Sequence, residues 1–364
     1  MIRINDYDYH LPKGLIASQP ASPRDSARLF VYNTGTDAIA FDTFKHIGKY
    51  LPHPSLLVFN DTKVVPARVL LTKETGGKIE VLLMMNEYRP AQTNKVGSPD
   101  PQGGFRDDSL IKGIVDRKLS PGTTLFFKGG AELKVVKQEE QFFFFEPSVS
   151  MAMLWKLLEQ EGKTPIPPYI KNTKLSERML REKYQSVLAQ ERASVAAPTA
   201  SLHFTEKLIV GLSKHDITHT EVTLHVGLGT FAPINEQHIA EKKLFTEYFE
   251  VSKGSASAIN NAKQSGVPII AVGTTAMRTL ESAAVKNTIL ARAGATNIFI
   301  YPPHEFVIAN GLITNFHVPK SSLMLLVDAF LKHKKAKRDI LALYDIAIRE
   351  KFRFYSFGDS MLIV

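Results

Sequence analysis

Three histidines stand where hydrophobic runs of this chain stop, and that spacing is its first sign of chemistry. In "EVTLHVGLGTF", Val222, Leu224 and Val226 share one strand face, so His225 projects from the other. Gly227 and Gly229 just beyond it let backbone approach a ligand closely. In "LITNFHVPKSSLML" a strand ends near Asn315 and His317, and Ser321 or Ser322 is set to cap the helix that follows. The third histidine, His203, lies in "SVAAPTASLHFT", a run without charge whose apolar residues follow neither a helix nor a strand period. Such a run predicts backbone lying against a ligand, with His203 facing it. A fourth site needs no histidine. In "PIIAVGTTAMRTLES" a buried strand stops at Gly273, Thr274 and Thr275 are natural N-caps, and the helix they open carries Arg278 and Glu281. Imidazoles at such places serve acid–base chemistry near neutral pH. The free N–H groups of the helix end suit a carboxylate or a phosphate.

Each of these signals alone has a plainer reading. A single histidine at a strand end is ordinarily a satisfied polar residue, and a Gly-Thr-Thr turn is a common cap. The chain has no GxGxxG or Walker sequence, and no HExxH, EF-hand or Cys/His cluster calls for a metal. What favours function is repetition: open α/β sheets bind ligands beyond the carboxyl ends of their strands, and the pattern recurs at several such ends.

The elements that must position these residues follow from period and punctuation. "LLVFNDTKVVPARV" begins with a buried strand that turns at Asn60-Asp61. "ARVLLTKETGGKIEVLLMM" reads as two strands around a turn at Glu74–Gly77, and short strands continue to "FFFFEP". "NEYRPAQTNKVGSPDPQGGFRDDS" reads as a long loop. "SMAMLWKLLEQEG" has the period of an amphipathic helix, and "TPIPPYI" that of an extended strap. Strands then alternate with helices through "ITHTEVTLHVG", "VPIIAVGTTAMRTLESAA", "NIFIYP" and "GLITNFHVPKSSLMLLVDAFL". The expectation is an α/β fold. A mostly parallel sheet with helices on its faces spans 1–65 and 148–364, and a small all-β barrel is inserted at 66–147.

Composition bounds the class. The chain has 364 residues, 44% of them hydrophobic, and no cysteine, which excludes a disulfide framework and points to the cytoplasm. Its first residues carry Asp6 and Asp8 and lack the apolar core of a signal peptide. No run approaches the ~18 apolar residues of a membrane span. No coiled-coil or apolar stripe demands a partner, so a monomer is expected. The net charge is +9 and the pI about 9.4, a surplus that suits a polyanion. The insert holds 12 Lys/Arg against 11 Asp/Glu, so the surplus belongs to the α/β part. Two basic stretches stand out as RNA contacts. "KNTKLSERMLREKY" carries Lys171, Lys174 and Arg178, with Tyr184 as a stacking ring, and "KHKKAKR" carries Lys334, Lys335, Lys337 and Arg338. A solvated helix face is the plain alternative for both.

Taken together the motifs resemble the S-adenosylmethionine:tRNA ribosyltransferase-isomerases of queuosine biosynthesis. The matching stretches run nearly the whole chain: "DYDYHLPKGLIASQP", "RDSARL", "VFNDTKVVPAR", "GGKIEVLL", "TPIPPYI", "YQSVLAQERASVAAPTASLHFT", "VTLHVGLGTFAPI", "TEYFEV", "AVGTTAMRTLES", "IFIYPPHEF", "LITNFHVPKSSLMLLVDAF" and "EKFRFYSFGDSMLI". The resemblance implies an α/β domain with an inserted β-barrel and a site between them. It implies S-adenosylmethionine as ribosyl donor, no metal, and a tRNA bearing 7-aminomethyl-7-deazaguanine at the wobble position. The product is epoxyqueuosine, with adenine and methionine released.

That reaction needs a base for the acidified ribose C–H beside the sulfonium and an acid for adenine. The candidates are His203, His225 and His317, with Asp61 and Glu247 as carboxylates. Substrate contacts are expected from Arg68, Pro198, Thr199, Gly227, Gly229, Thr230, Thr274, Thr275, Arg278, Glu281 and Asn315. The chain departs from the family pattern at Ser201, usually glycine, at Phe245-Thr246, usually His-Ser, and at Pro303-His304, usually glycine and an aromatic. Two other readings are a relative that binds tRNA without catalysis and an S-adenosylmethionine-dependent methyltransferase.

Overall fold

Apolar runs without polar alternation belong in the middle of a sheet covered on both faces. Ser55–Asn60 and Ile269–Val272 are such runs, buried at every position. In the computed structural model, which describes residues 3–87, 110–171, 173–227, 234 and 236–364, they lie at the centre of a nine-stranded sheet. Its order is Arg292–Ile298, Lys243–Val251, Ile217–His225, Ser55–Asn60, Ile269–Val272, Gly311–Asn315, Ser360–Ile363, Arg28–Asn33, Ala38–Thr43.

The pleat sends alternate residues to two cores. Leu56 and Val58 pack under four helices, Lys253–Gln264, Thr274–Ala283, Ser322–His333 and Ile340–Arg349. Leu57 and Phe59 face the opposite core, which holds Phe44, Ala200, Phe204 and the helix Glu206–Ser213. Helices on both faces of a sheet are the expected architecture.

The sheet is mixed: its four central strands are parallel, and a further parallel pair, Ser360–Ile363 with Arg28–Asn33, lies toward one edge. Ile217–His225, Ser55–Asn60, Ile269–Val272 and Gly311–Asn315 run parallel, whereas the neighbours outside them pair antiparallel. Alternating strands and helices in a sequence do not distinguish these pairings, because a strand can return along either neighbour. The strand expected over "NIFIYP" ends earlier, at Ile298, and pairs antiparallel with Lys243–Val251. Pro302 and Pro303 have no N–H to extend the ladder.

Six antiparallel strands between Arg68 and Pro147 close into a barrel. Leu71, Ile79, Val81, Leu125, Leu133, Val135 and Phe145 fill it. The helix Met151–Glu161, capped by Ser150, packs Leu154, Leu157 and Leu158 against that same core. The expected loop after Asn86 falls largely outside the described residues.

Candidate active site

Strand register assembles the site. Val58 pairs with Ala271 and Val272 with Ile313, so Asn60, Gly273 and Thr314 reach the carboxyl edge at one level. Ala197, Pro198, Thr199 and Ala200 fold over this edge and form one wall of a slot. Gly273, Thr274 and Thr275 form its floor, and Thr314, Asn315, Phe316 and His317 its far side. The structure thus brings together Pro198, Thr199, Thr274, Thr275, Asn315 and His317, which the sequence distributes over about 120 positions. The open space is narrow, about 40 Å³.

The slot carries donors for an anion. Gly273, at φ 94°, is the N-cap of Thr274–Ala283 and offers no side-chain hydrogen bond. The threonines expected as caps are therefore the first two helical residues. The Thr275 hydroxyl is buried without a partner, beside the helix's unsatisfied N–H groups. Only a glycine suits the N-cap, because its φ is left-handed and the small Ala200 packs against it.

Asn315 is the node of the far side. Its Oδ1 accepts from Thr199 Oγ1 at 3.1 Å, and its Nδ2 donates to the Tyr355 carbonyl at 3.2 Å. The same Nδ2 lies 3.4 Å from His203 Nε2. His203 does not line the slot. Its ring sits one layer behind Asn315, against Phe44 at 5.0 Å, and burial pushes it down to about 4. It is a neutral imidazole that holds the amide in place.

His317 does line the slot. Tyr344 Oη accepts from the His317 main-chain N–H at 2.8 Å, Thr314 Oγ1 lies 3.2 Å from its Nε2, and Tyr9 donates to its carbonyl. Burial, aided by the nearby Arg278 charge, drives His317 down to about 3.

Arg278 is not free to meet a substrate carboxylate. It forms a buried, two-pronged pair with Glu247, at 2.9 and 3.1 Å. Two residues expected in separate roles thus neutralise each other beneath the slot, because neither charge tolerates burial alone. Glu281 meets His304 at 3.0 Å, so the histidine at that departure from the family pattern pairs with a buried carboxylate.

A second group lies two strands along the same edge. Asp61 Oδ1 accepts from Thr223 Oγ1 at 2.7 Å, and burial together with Glu191 and Glu221 pushes the carboxyl up to about 6. His225 Nδ1 lies 2.9 Å from Thr62 Oγ1. Gly227 packs against Asn86 of the barrel, where an added Cβ would come within 2.9 Å of the amide nitrogen. Gly229 and Thr230 lie outside the described residues. Arg68 pairs with Glu80 at 2.6 Å within the barrel and away from the slot.

The basic stretches fare unequally. Lys171, Lys174 and Arg178 are exposed. Tyr184, expected as a stacking ring, is fully buried against Phe357, because the helix Glu177–Lys183 turns its apolar side inward there. Lys335 and Lys337 are exposed, whereas Lys334 donates to the Asn310 carbonyl at 3.1 Å and Arg338 grips Asp37 at 3.0 and 3.2 Å.

Sequence reasoning missed the aromatic side of the slot. Tyr169 from the proline-rich strap and Tyr355 from "FRFYSFGDS" line it, their rings 4.8 Å apart. Tyr355 has φ 73°, a conformation that a bulky residue adopts only where its surroundings hold it. Neither tyrosine has a periodic signal; only the tyrosine ending the strap was available as a hint.

Comparison with known proteins agrees along the entire chain. The family model for "Queuosine biosynthesis protein" matches residues 4–363. An S-adenosylmethionine:tRNA ribosyltransferase-isomerase of Carboxydothermus hydrogenoformans is 42% identical over 365 residues, covering 100% of both chains. A protein of the same name from Halothermothrix orenii is 39% identical over 377 residues, again with 100% of each chain covered. The crystal structure of the S-adenosylmethionine tRNA ribosyltransferase of Thermotoga maritima superposes with a TM-score of 0.53 at 29% identity, covering 99% of this chain and 100% of that one. With the barrel, the mixed sheet and the edge slot already in place, the chain belongs to the queuosine biosynthesis protein family of S-adenosylmethionine:tRNA ribosyltransferase-isomerases.

Proposed function

We infer that this protein transfers and isomerises the ribosyl part of S-adenosylmethionine onto 7-aminomethyl-7-deazaguanine at the wobble position of a tRNA. The products are epoxyqueuosine in the tRNA, adenine and methionine. One observation carries the reading: hydroxyl, amide and helix-end donors from separate segments meet in one aromatic-walled slot, in a chain that belongs to this family throughout.

The residues present suit S-adenosylmethionine as substrate. Its methionine carboxylate matches the N-terminus of Thr274–Ala283 with the unpartnered Thr275 hydroxyl. Its sulfonium matches the faces of Tyr169, Tyr355 and Phe316, which attract a cation. Because the open space is about 40 Å³, the walls must part to admit it.

The sulfonium acidifies the adjacent ribose C–H, and Asp61 is our choice of base. Poised near 6, it is mostly ionised at neutral pH yet basic enough to take a proton. It lies two strands from Gly311–Asn315, about 10 Å at ~4.8 Å per strand. His317, kept neutral, is placed to offer a ring N–H as a hydrogen bond to the departing adenine, while His203 orients Asn315 from behind. His225 and Gly227 border the Asp61 end, where the deazaguanine would enter. Glu247 acts through Arg278, as the counter-ion that lets the helix end sit in a dry site. The reading calls for no metal, and for a cytoplasmic monomer.

The test is turnover with S-adenosylmethionine and tRNA carrying the deazaguanine. Free adenine matched by epoxyqueuosine in the digested tRNA is the expected result. S-adenosylhomocysteine instead would make the protein a methyltransferase. Salt-sensitive tRNA binding without adenine release would make it a binding protein.

A further inference from the structure

A groove of about 510 Å³ runs along the seam where the barrel insert leaves the α/β layer. Lys63, Arg178, Arg181 and Arg192 line it, against two carboxylates, Glu159 and Glu182. Its walls are fixed before any partner arrives. Gln185 spans the Val64 main chain, accepting from its N–H at 3.0 Å and donating to its carbonyl at 2.7 Å. Arg181 is consumed in this framework, donating to Glu177 at 3.0 Å and to the carbonyl of Glu159 at 2.7 Å. Arg24 pins the next turn through the carbonyls of Gln185 and Glu182.

Two of the remaining cations are uncommitted, and the third is only loosely paired. The side chains of Lys63 and Arg178 form no hydrogen bond or ion pair with another described residue. Arg192, more than half exposed, lies 3.9 Å from Glu159, too far for a hydrogen bond. A rigid trough with free cations along its rim suits a polyanionic backbone, since ordering costs have already been met.

The groove lies within reach of the slot. The strap that lines this groove at Thr164 lines the slot at Tyr169. Five residues of extended chain span at most ~17 Å. Lys334 to Arg338 follow the far end of Ser322–His333, a helix of 12 residues whose start borders the slot. That places them at a similar remove, about 18 Å along the axis; what separates the two is that Lys334 and Arg338 are already bound to Asn310 and Asp37.

We propose that the backbone of the substrate tRNA crosses the protein in this seam groove, with phosphates on Lys63, Arg178 and Arg192, and that Lys334–Arg338 takes no part. The proposal rests on the ribosyltransferase reading and adds the footprint. Lys63 and Arg192 were absent from the contacts expected from the sequence because neither lies in a charge run. Folding sets strand Glu191–Ser194 beside Thr62–Val64, which brings the two to one rim.

The experiment measures binding of unmodified tRNA transcript by the full chain across a salt series. It compares the wild type with Lys63→Gln, Arg178→Gln, Arg192→Gln and a Lys335→Gln/Lys337→Gln control. Each groove change is expected to weaken binding roughly five- to tenfold and to shallow the log–log salt slope by about 0.7–0.9. The control should match the wild type, and S-adenosylmethionine affinity, measured by calorimetry on every variant, should be unchanged. Wild-type affinity and slope in all three groove variants, or a loss confined to the Lys335/Lys337 control, overturns the groove. A wild-type protein that binds S-adenosylmethionine but no tRNA overturns the ribosyltransferase reading itself, and the groove assignment with it.

Discussion

The slot and the Asp61 group occupy the same edge of one sheet, two strands apart, yet burial moves their ionisable groups in opposite senses. In and behind the slot, His317 and His203 are pushed down and stay uncharged, while the buried charge of Arg278 is cancelled by Glu247. At the neighbouring group the carboxyl of Asp61 is pushed up to about 6, with Glu191 and Glu221 adding to the effect. One region is a neutral, closely packed slot, and the other holds a carboxyl that titrates near neutral pH. Low dielectric disfavours whichever form is charged, so the same physics empties a histidine of its proton and fills a carboxylate.

The largest test of that contrast removes the cancellation under the slot. Glu247→Gln leaves the Arg278 guanidinium buried without its counter-charge, and unfolding free energy should fall by about 3–5 kcal/mol, read by urea denaturation. A loss below about 1 kcal/mol would mean that water reaches the pair and that the slot floor is not dry.

Next in size is Asp61→Asn. If Asp61 is the base, kcat/KM should fall by roughly 10²–10⁴-fold, and the acid limb of the pH–rate profile near 6 should vanish. Retention of that limb would move the base to another group. The stability signature has its own sign. A carboxyl raised in the folded state stabilises below its unfolded value of 3.8, and that contribution fades as pH rises through about 6. The asparagine variant should therefore gain relative stability above pH 6.

His203 should show the opposite trend. Its folded value of about 4 lies below the unfolded 6.5, so its contribution is complete above 6.5 and lost as pH falls toward 4. Stability of the wild type should drop by roughly 3 kcal/mol more than that of His203→Gln over this interval, at ~1.4 kcal/mol per unit. Parallel stability curves for the two proteins would place water, and not a dry core, behind Asn315.

The smallest effect concerns Ser201. Its hydroxyl is fully buried with no partner, one turn from the slot wall. Ser201→Ala should stabilise the fold by about 1 kcal/mol, because an unsatisfied buried hydroxyl is costly. Destabilisation instead would reveal a hydrogen bond that forms when the slot opens.

Which parts of this site were legible follows from where the information is stored. Local pattern carries strands, caps and turns, so the stop of a buried strand at Gly273, the barrel hairpin around Glu74–Gly77 and the helix Met151–Glu161 could be read from the residues themselves. Chain order also carries the strand ends, and therefore the prospect that Thr275, Asn315 and His317 share an edge. The identity of the family was legible because its motifs keep their order along the chain.

Pairing between distant charges and the depth of a ring have no local signature. That Arg278 is neutralised by Glu247, 31 residues earlier, depends on Lys243–Val251 returning beside Ile217–His225. That His203 stands behind Asn315, while Tyr169 and Tyr355 come forward, depends on how the strap and the last loop cross the sheet's edge. Residue type and spacing determined which chemistry was on hand. Only the tertiary packing decided which groups line the slot and which stand behind it, because burial and charge pairing are properties of neighbours in space.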